Sequence, residues 1–238
     1  MELLVPSHSA LPVRAWNAVR SRGPRYAWHK ALRRVLGRWP SWKRHWLYSD
    51  PRLYWTLRGG EDYFREQEGQ AARTLRTEWL AQRLAAYRPA CILEIGCGYG
   101  KLLRTLRWRI DVPLVGLDFS TTQLEHARWF LEGLDDIEIL LGCGERLPFP
   151  EGAFDMVVTS AVILHNPPKA AQHIRREVLR VAHRFAAHNE ETSRSYNRYG
   201  YDTAAWYRSQ GIVLAESGPI PVDPDPATSQ FCVAKLSP

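Results

Sequence analysis

The residues best suited by type and spacing to do chemistry lie in Ile92-Leu93-Glu94-Ile95-Gly96-Cys97-Gly98-Tyr99-Gly100. An apolar run there opens into glycines at every second position. Glycine accepts the left-handed turns such a loop needs, and without a Cβ it lets a ligand approach the backbone closely. A dinucleotide-binding loop would carry a third glycine at position 101, where this chain has Lys101. Glu94, just ahead of the first glycine, is placed to accept hydrogen bonds from an ammonium group or to orient the loop. Eighteen residues past Gly100, the segment Gly116-Leu117-Asp118-Phe119-Ser120 closes a second apolar run on an acid. Asp118 suits the two hydroxyls of a ribose, and Phe119 suits the face of an adenine. Asp118 would also serve as an N-cap for a helix starting near Thr121. Its spacing from the glycine loop favours the nucleoside.

The elements that must position these residues follow from hydrophobic periodicity. Helical spacing runs over residues 70–87 and stops at Pro89. Strand and helix signals then alternate: strand 90–95, helix 99–107, strand 113–117, helix 121–132, strands 137–141 and 154–159, helix 170–181, a short strand 184–188, and helix 203–209. Strands 212–216 and 230–235 follow with only a loop between them, which predicts an antiparallel terminal hairpin. Alternation of this kind implies βαβ units, a mostly parallel sheet and helices on both faces. Ligands of such sheets sit at the carboxyl ends of the strands, and the two motifs above both fall there.

These motifs, together with Gly142–Asp155 (GCGERLPFPEGAFD) and the order of elements, resemble the class I S-adenosylmethionine (SAM)-dependent methyltransferases over about residues 70–238. The resemblance implies a Rossmann-like α/β fold with a seven-stranded, mostly parallel sheet whose last strand is inserted antiparallel. It implies SAM as cofactor, with Gly96, Gly98 and Gly100 wrapping the methionine part, Cys97 among the cofactor contacts and Asp118 binding the ribose. Phe119, Gly144, Glu145 and Ser160 complete the expected cofactor contacts. Many relatives place an aspartate where this chain has Cys143. A thiol is a poor acceptor, so the adenine contact is expected from the backbone of Gly144 and Glu145.

Methyl transfer from a sulfonium is an in-line displacement that depends mainly on holding the acceptor in attack geometry. A hydroxyl acceptor also needs a general base. His165 follows the fourth strand in Ser160-Ala161-Val162-Ile163-Leu164-His165, and His188, Asn189 and Glu190 follow the fifth. His165, His188 and Glu190 are therefore the catalytic candidates. Each has a plain structural alternative, in which a polar strand end caps and positions its own loop. Tyr196, Tyr199 and Tyr201 are candidates to line an acceptor pocket, and Tyr63 or Arg73 to meet the cofactor carboxylate.

Charge divides the chain. Residues 1–49 hold ten Lys/Arg and one acid, a net +9, whereas residues 50–238 hold 22 Lys/Arg and 24 Asp/Glu, a net −2. Five of the ten tryptophans (Trp16, Trp28, Trp39, Trp42 and Trp46) are in the basic part. Trp28, Ala31, Leu32, Val35 and Leu36 fall at helical spacing, ended by Gly37 and Pro40. The expected division is a basic, tryptophan-rich helical arm or lid over residues 1–58 and a methyltransferase domain over 59–238. The arm admits packing on the body, an anionic membrane surface met by residues 1–49, or single-stranded nucleic acid, the last disfavoured by the near-neutral body. Pro6, His8 and Pro12 interrupt any secretory pattern, and four cysteines without CxxC spacing point to a reducing compartment without a metal site. The expected setting is cytoplasmic, peripheral to a membrane if the arm binds one. The expected activity is methylation of a small-molecule acceptor, with oxygen favoured. Alternatives are a membrane lipid or isoprenoid, RNA or protein as acceptor, and a SAM-binding regulator without catalysis.

Overall fold

A computed structural model describes residues 11–36 and 39–236. The chain forms two compact units, one ending at Asp50 and the other starting at Pro51. In the first, α1 (Leu11–Val35) is broken at Gly23, whose positive φ of 83° precedes Pro24, and α2 (Pro40–Leu47) opens on its own proline. The expected helix over 28–36 is the second half of α1, and its expected stop at Gly37 lies outside the described residues, as do Pro6 and His8.

The second unit begins with two helices that the sequence pattern did not reveal, α3 (Pro51–Arg58) and α4 (Glu61–Glu68). Pro51 sits in the first turn of α3, where a missing N–H costs nothing, and Gly60 caps α4 with φ 96°. Then follow α5 (Ala71–Ala86), β1 (Ile92–Ile95), α6 (Lys101–Arg107), β2 (Leu114–Asp118), α7 (Thr121–Phe130), β3 (Ile137–Leu141) and β4 (Phe154–Ser160). The remainder is α8 (Pro168–Val181), β5 (Ala182–Glu191), α9 (Thr203–Ser209), β6 (Leu214–Gly218) and β7 (Ser229–Lys235).

The seven strands form one sheet in the order β3-β2-β1-β4-β5-β7-β6. The first five pair in parallel, and β7 is antiparallel to both β5 and β6. Strand order reverses between β1 and β4, so a crevice opens outside their carboxyl ends. Each face has its own core, because successive side chains of a strand point to opposite sides. On one face Ile92, Val158, Ala187 and Phe231 pack with Leu80, Leu103 and Leu124 of α5, α6 and α7. On the other, Leu93, Val157, Ala186 and Cys232 pack with Ile174, Val178 and Tyr207 of α8 and α9.

Strand β5 runs three residues beyond the expected end at His188, because Asn189, Glu190 and Glu191 pair with Phe231, Gln230 and Ser229 of β7. That extension decides where the polar residues of this segment point.

Candidate functional site

The loop after β1 turns through Gly96 (φ 71°), Gly98 (φ 57°) and Gly100 (φ 86°), a conformation that L side chains rarely adopt. A Cβ on Gly96 would lie 2.5 Å from Val162 Cγ2 and one on Gly100 2.7 Å from Leu131, so these two glycines also make room for neighbouring side chains. Asp118 holds the loop from β2. Its carboxylate accepts from Gly98 N at 2.9 Å and from Ser120 N at 2.8 Å. The cap of α7 is Ser120, whose Oγ accepts from Gln123 N, so Asp118 is not the helix cap.

A cavity of about 360 Å³ opens against this loop and is lined by Glu94, Gly96, Cys97, Gly98, Ser160 and Asn189, among others. A second chamber of about 270 Å³ shares Gly96, Gly98 and Ser160 with it and adds Asp118 and Phe119. Tyr63 and Arg73, expected near a cofactor carboxylate, line both. Glu94 is 3 % exposed, and its Oε2 has no hydrogen-bond partner among the described residues. Burial, and secondarily the nearby Asp118, push its pKa well above the usual carboxylate range. Asp118 is also raised, by burial, against the lowering effect of the backbone N–H groups it accepts from. Two buried acids beside a glycine cradle make a site that favours a cationic, donor-rich ligand. The amino group, sulfonium and ribose of SAM have that chemistry, so these residues fit the cofactor.

Gly100, Gly144 and Glu145 do not line either chamber. Gly100 instead starts α6, and Gly144 gives room to Ile95, whose Cγ2 would lie 2.8 Å from a Cβ there. Glu145 pairs with Arg52 of α3, and the same guanidinium donates to Cys143 Sγ at 3.0 Å. The expected adenine border thus carries an ion pair from a residue 91 positions upstream of Cys143.

The catalytic candidates separate by strand parity. Glu94 of β1, Ser160 of β4 and Asn189 and Glu191 of β5 reach the chambers. Thr159, His188 and Glu190 belong to the α8–α9 side of the sheet. His188 is fully buried; its Nδ1 donates to Thr159 Oγ at 2.8 Å and its Nε2 accepts from the Tyr207 hydroxyl at 2.6 Å. Burial, with Arg175 nearby, lowers its pKa to about 3. Glu190 is 1 % exposed and accepts from Thr159 Oγ and from the backbone N–H groups of Val162, Ile163 and Leu164. Expected beside the acceptor, both residues instead lie on the α8–α9 side, where Glu190 holds the β4–α8 loop and His188 holds Thr159. Their odd-numbered neighbours Asn189 and Glu191 face the cavity. Asn189 accepts from Arg76 and donates to Ser160 Oγ at 2.7 Å, while Arg76 also pairs with Glu191 and Asp223.

The loop that Glu190 holds includes Ala161, which has a positive φ of 55° and lines both chambers. It ends in a short 3-10 turn, Ile163–His165. His165 lines the second chamber, with Nδ1 donating to the Asn197 carbonyl at 2.6 Å, which leaves the lone pair on Nε2. Its ring meets Trp55 edge-on at 4.5 Å between centroids. Burial lowers its pKa to about 4. Tyr196 shares this chamber and a hydroxyl–hydroxyl bond of 2.8 Å with Tyr54 of α3. Tyr199 and Tyr201 stack on each other, and the Tyr201 hydroxyl donates to the Asn166 carbonyl, so only Tyr196 of the three faces the chamber. Tyr54, Trp55, Arg76 and Glu191 escaped the sequence reading, and Asn189 was named there without a role. Only the aromatic pair in Leu53-Tyr54-Trp55-Thr56 left a trace that could have been read.

Residues 92–184 match a family model described as a methyltransferase domain. An ajmaline N-methyltransferase of Rauvolfia serpentina is 25% identical over 156 residues, 57% of this chain and 53% of the relative. An O-methyltransferase of Aspergillus nomiae is 30% identical over 138 residues, 56% of this chain and 59% of the relative. The chain thus spans less than two thirds of the length of these curated relatives. In fold it is similar to the magnesium protoporphyrin IX methyltransferase of Synechocystis PCC 6803, solved with bound SAM. That likeness has a TM-score of 0.60 at 17% identity and covers 88% of this chain and 97% of the other. The matched stretch contains the glycine loop, the acid after β2 and the β4–α8 loop, so residues 92–184 are those of a methyltransferase domain, carried on a sheet of this order.

Proposed function

We propose that the protein transfers a methyl group from SAM to a small-molecule acceptor, with oxygen the favoured acceptor atom. The observation that carries this reading is the buried Glu94 carboxylate, unsatisfied at Oε2 among the described residues, at the mouth of a glycine loop that opens into a second, aromatic-lined chamber. SAM, when bound, supplies a methyl group activated by its sulfonium. Glu94 would accept from its amino group, Asp118 from its ribose hydroxyls, and Phe119 would cover a face of the base. Asp118 keeps the capacity for this, since each carboxylate oxygen has a second lone pair beyond the backbone N–H it already accepts from.

Tyr54, Trp55, Tyr196 and His165 form the acceptor side of the second chamber. With a pKa near 4, His165 is a weak base at neutral pH. Its ring is better suited to shaping the acceptor side of the chamber than to removing a proton. An acceptor that arrives with an available lone pair, such as a carboxylate, an acidic phenol or a neutral amine, needs no more than this. The N- and O-methyltransferases among the relatives act on different atoms, so their names do not choose between these.

The deciding experiment is titration calorimetry with SAM, followed by incubation of the protein with methyl-labelled SAM and fractionated extract. Expected are saturable SAM binding, lost in Glu94→Ala, and label in a small-molecule fraction. Label only in RNA, protein or lipid would overturn the acceptor class. Binding with no transfer into any fraction would favour a regulator. We also read the basic arm as a peripheral membrane contact. No described helix is long and apolar enough to cross a membrane, and several tryptophans of the arm are exposed.

A further inference from the structure

Beyond its kink, α1 leaves Trp28, Ala31 and Val35 exposed, and these fall at i, i+3 and i+7 on one stripe of the helix. Trp39, at the N-cap of α2, and Trp42 and Trp46 within it repeat the same spacing and the same exposure. The fractions are large: 67% for Trp28 and Val35, and 54–59% for the three tryptophans of α2. The buried positions of these helices are others, Tyr26, His29, Leu36 and Leu47. Each helix therefore has an inner face that is already covered and an outer apolar face that is not.

Basic side chains flank the outer faces. Arg25, Arg34 and His45 are exposed, Lys43 and Arg44 are half-buried, and Glu2 is the single acid among residues 1–49. Tryptophan combines a large apolar ring with one N–H that stays hydrated, which is why it concentrates at the boundary between lipid headgroups and acyl chains. Arginine and lysine beside it meet lipid phosphates, and their long stems keep the charge at the surface. A single-stranded nucleic acid would use the rings and the charges, but the aliphatic part of the stripe, Ala31 and Val35, gives a base nothing to stack on.

We propose that the exposed faces of α1 and α2 form a docking surface for an anionic lipid bilayer, with Trp28, Trp39, Trp42 and Trp46 at the headgroup–acyl boundary and Arg25 and Arg34 on phosphates. The proposal rests on the peripheral reading of the arm. It is independent of the methyl-transfer reading, because no residue of the surface lines either chamber.

The test uses the full chain in flotation with vesicles of phosphatidylcholine alone and with about a third phosphatidylglycerol, and quenching of tryptophan fluorescence by brominated lipid. Expected are flotation and quenching with the anionic vesicles at 0.1 M salt. Trp42→Ser with Trp46→Ser should weaken partitioning by tenfold or more. Arg25→Glu with Arg34→Glu should weaken it by a hundredfold or more, at roughly fivefold per basic charge. Equal partitioning into neutral vesicles, or none into either, would overturn the proposal. So would retention on a single-stranded oligonucleotide without flotation, or a concentration-dependent dimer that the tryptophan substitutions abolish. SAM titration of each variant keeps the two readings apart. Variants that bind SAM but do not float have kept their fold, and a wild type that floats without binding SAM leaves this surface standing while the cofactor reading falls.

Discussion

Replacing Glu190 tests whether the β4–α8 loop is positioned from beneath. Glu190 Oε1 accepts from Thr159 Oγ at 2.8 Å and from Val162 N and Ile163 N at 3.1 Å, and Oε2 accepts from Leu164 N at 3.1 Å. Alanine would leave four donors without an acceptor in a site where Glu190 itself is 1 % exposed. At about 1–3 kcal/mol for each orphaned buried donor, the lower edge of the loss is about 4 kcal/mol. Removing a carboxylate that burial has already raised in pKa offsets part of it. A net destabilisation of about 3–5 kcal/mol remains, the range typical of breaking a buried charged network from one side. Glutamine keeps an oxygen for the three donors at Oε1 and turns an NH2 toward Leu164 N, which costs about 1–2 kcal/mol. Urea unfolding gives the stabilities, and calorimetry gives SAM affinity. The loop lines both chambers through Ala161, so affinity should fall tenfold or more for Glu190→Ala and no more than about threefold for Glu190→Gln. An alanine variant within 1 kcal/mol of wild type and with unchanged affinity would refute the reasoning. A glutamine variant of wild-type stability and affinity but without methyl transfer would instead return Glu190 to the chemistry.

Glu94 should release a proton when SAM binds. Burial keeps its carboxyl protonated above the usual carboxylate range, and an ammonium group beside Oε2 favours the ionised form, so proton release is expected between those two pKa values. Calorimetry in buffers of different ionisation enthalpy reads this, and Glu94→Gln should abolish it; a buffer-independent enthalpy for wild type would reject the contact. His165 and His188 are held neutral, at about 4 and about 3, against about 6.5 in an unfolded chain. The unfolded state therefore binds protons that the folded state excludes, and stability should be full above pH 6.5 and decline as pH falls toward 4, by about 1.4 kcal/mol per pH unit for each histidine. Urea unfolding at pH 7, 6, 5 and 4 checks the slope, which His188→Gln should roughly halve; an unchanged slope would mean that His188 is not the buried neutral group. Gly96→Ala places a Cβ 2.5 Å from Val162 Cγ2 at a φ of 71°, so SAM affinity should fall at least tenfold, and retention of wild-type affinity would show that the loop adapts.

Much of this fold was legible because its signals are local. The strand that carries Ile92, Leu93 and Ile95 announces itself as an apolar run, and the glycines after it mark a turn that few other residues can make. The boundaries of α9 and β3 fall where periodicity put them. Helices α3 and α4 escaped because eight residues give little period to read. What orders them includes contacts far along the chain, such as Tyr54 with Tyr196 and Arg52 with Cys143 and Glu145, separated by 142, 91 and 93 positions. The same distance explains the adenine border. From Gly142-Cys143-Gly144-Glu145 alone, an open backbone was the natural expectation, and nothing local says that Arg52 pairs with the side chains there.

The polar end of β5 failed for a different physical reason. In a strand buried on one face, alternation of apolar and polar residues fixes which side chains point inward. Strand β5 lies inside the sheet, covered on both faces, so Phe185, Ala186 and Ala187 are all apolar and carry no parity signal. His188, Asn189 and Glu190 then read as one polar cluster at a strand end, with Glu191 just beyond it. Pairing with β7 extends the strand through them and deals them alternately to the two sides. Asn189 and Glu191 go to the cavity, where they organise Arg76 and Ser160. His188 and Glu190 go beneath it, where a neutral imidazole and a buried carboxylate fix Thr159 and the loop that Ala161 strains. A cluster that looked like a single tuned base is therefore two layers of one site, and the layer out of reach of the ligand sets the shape of the layer that meets it.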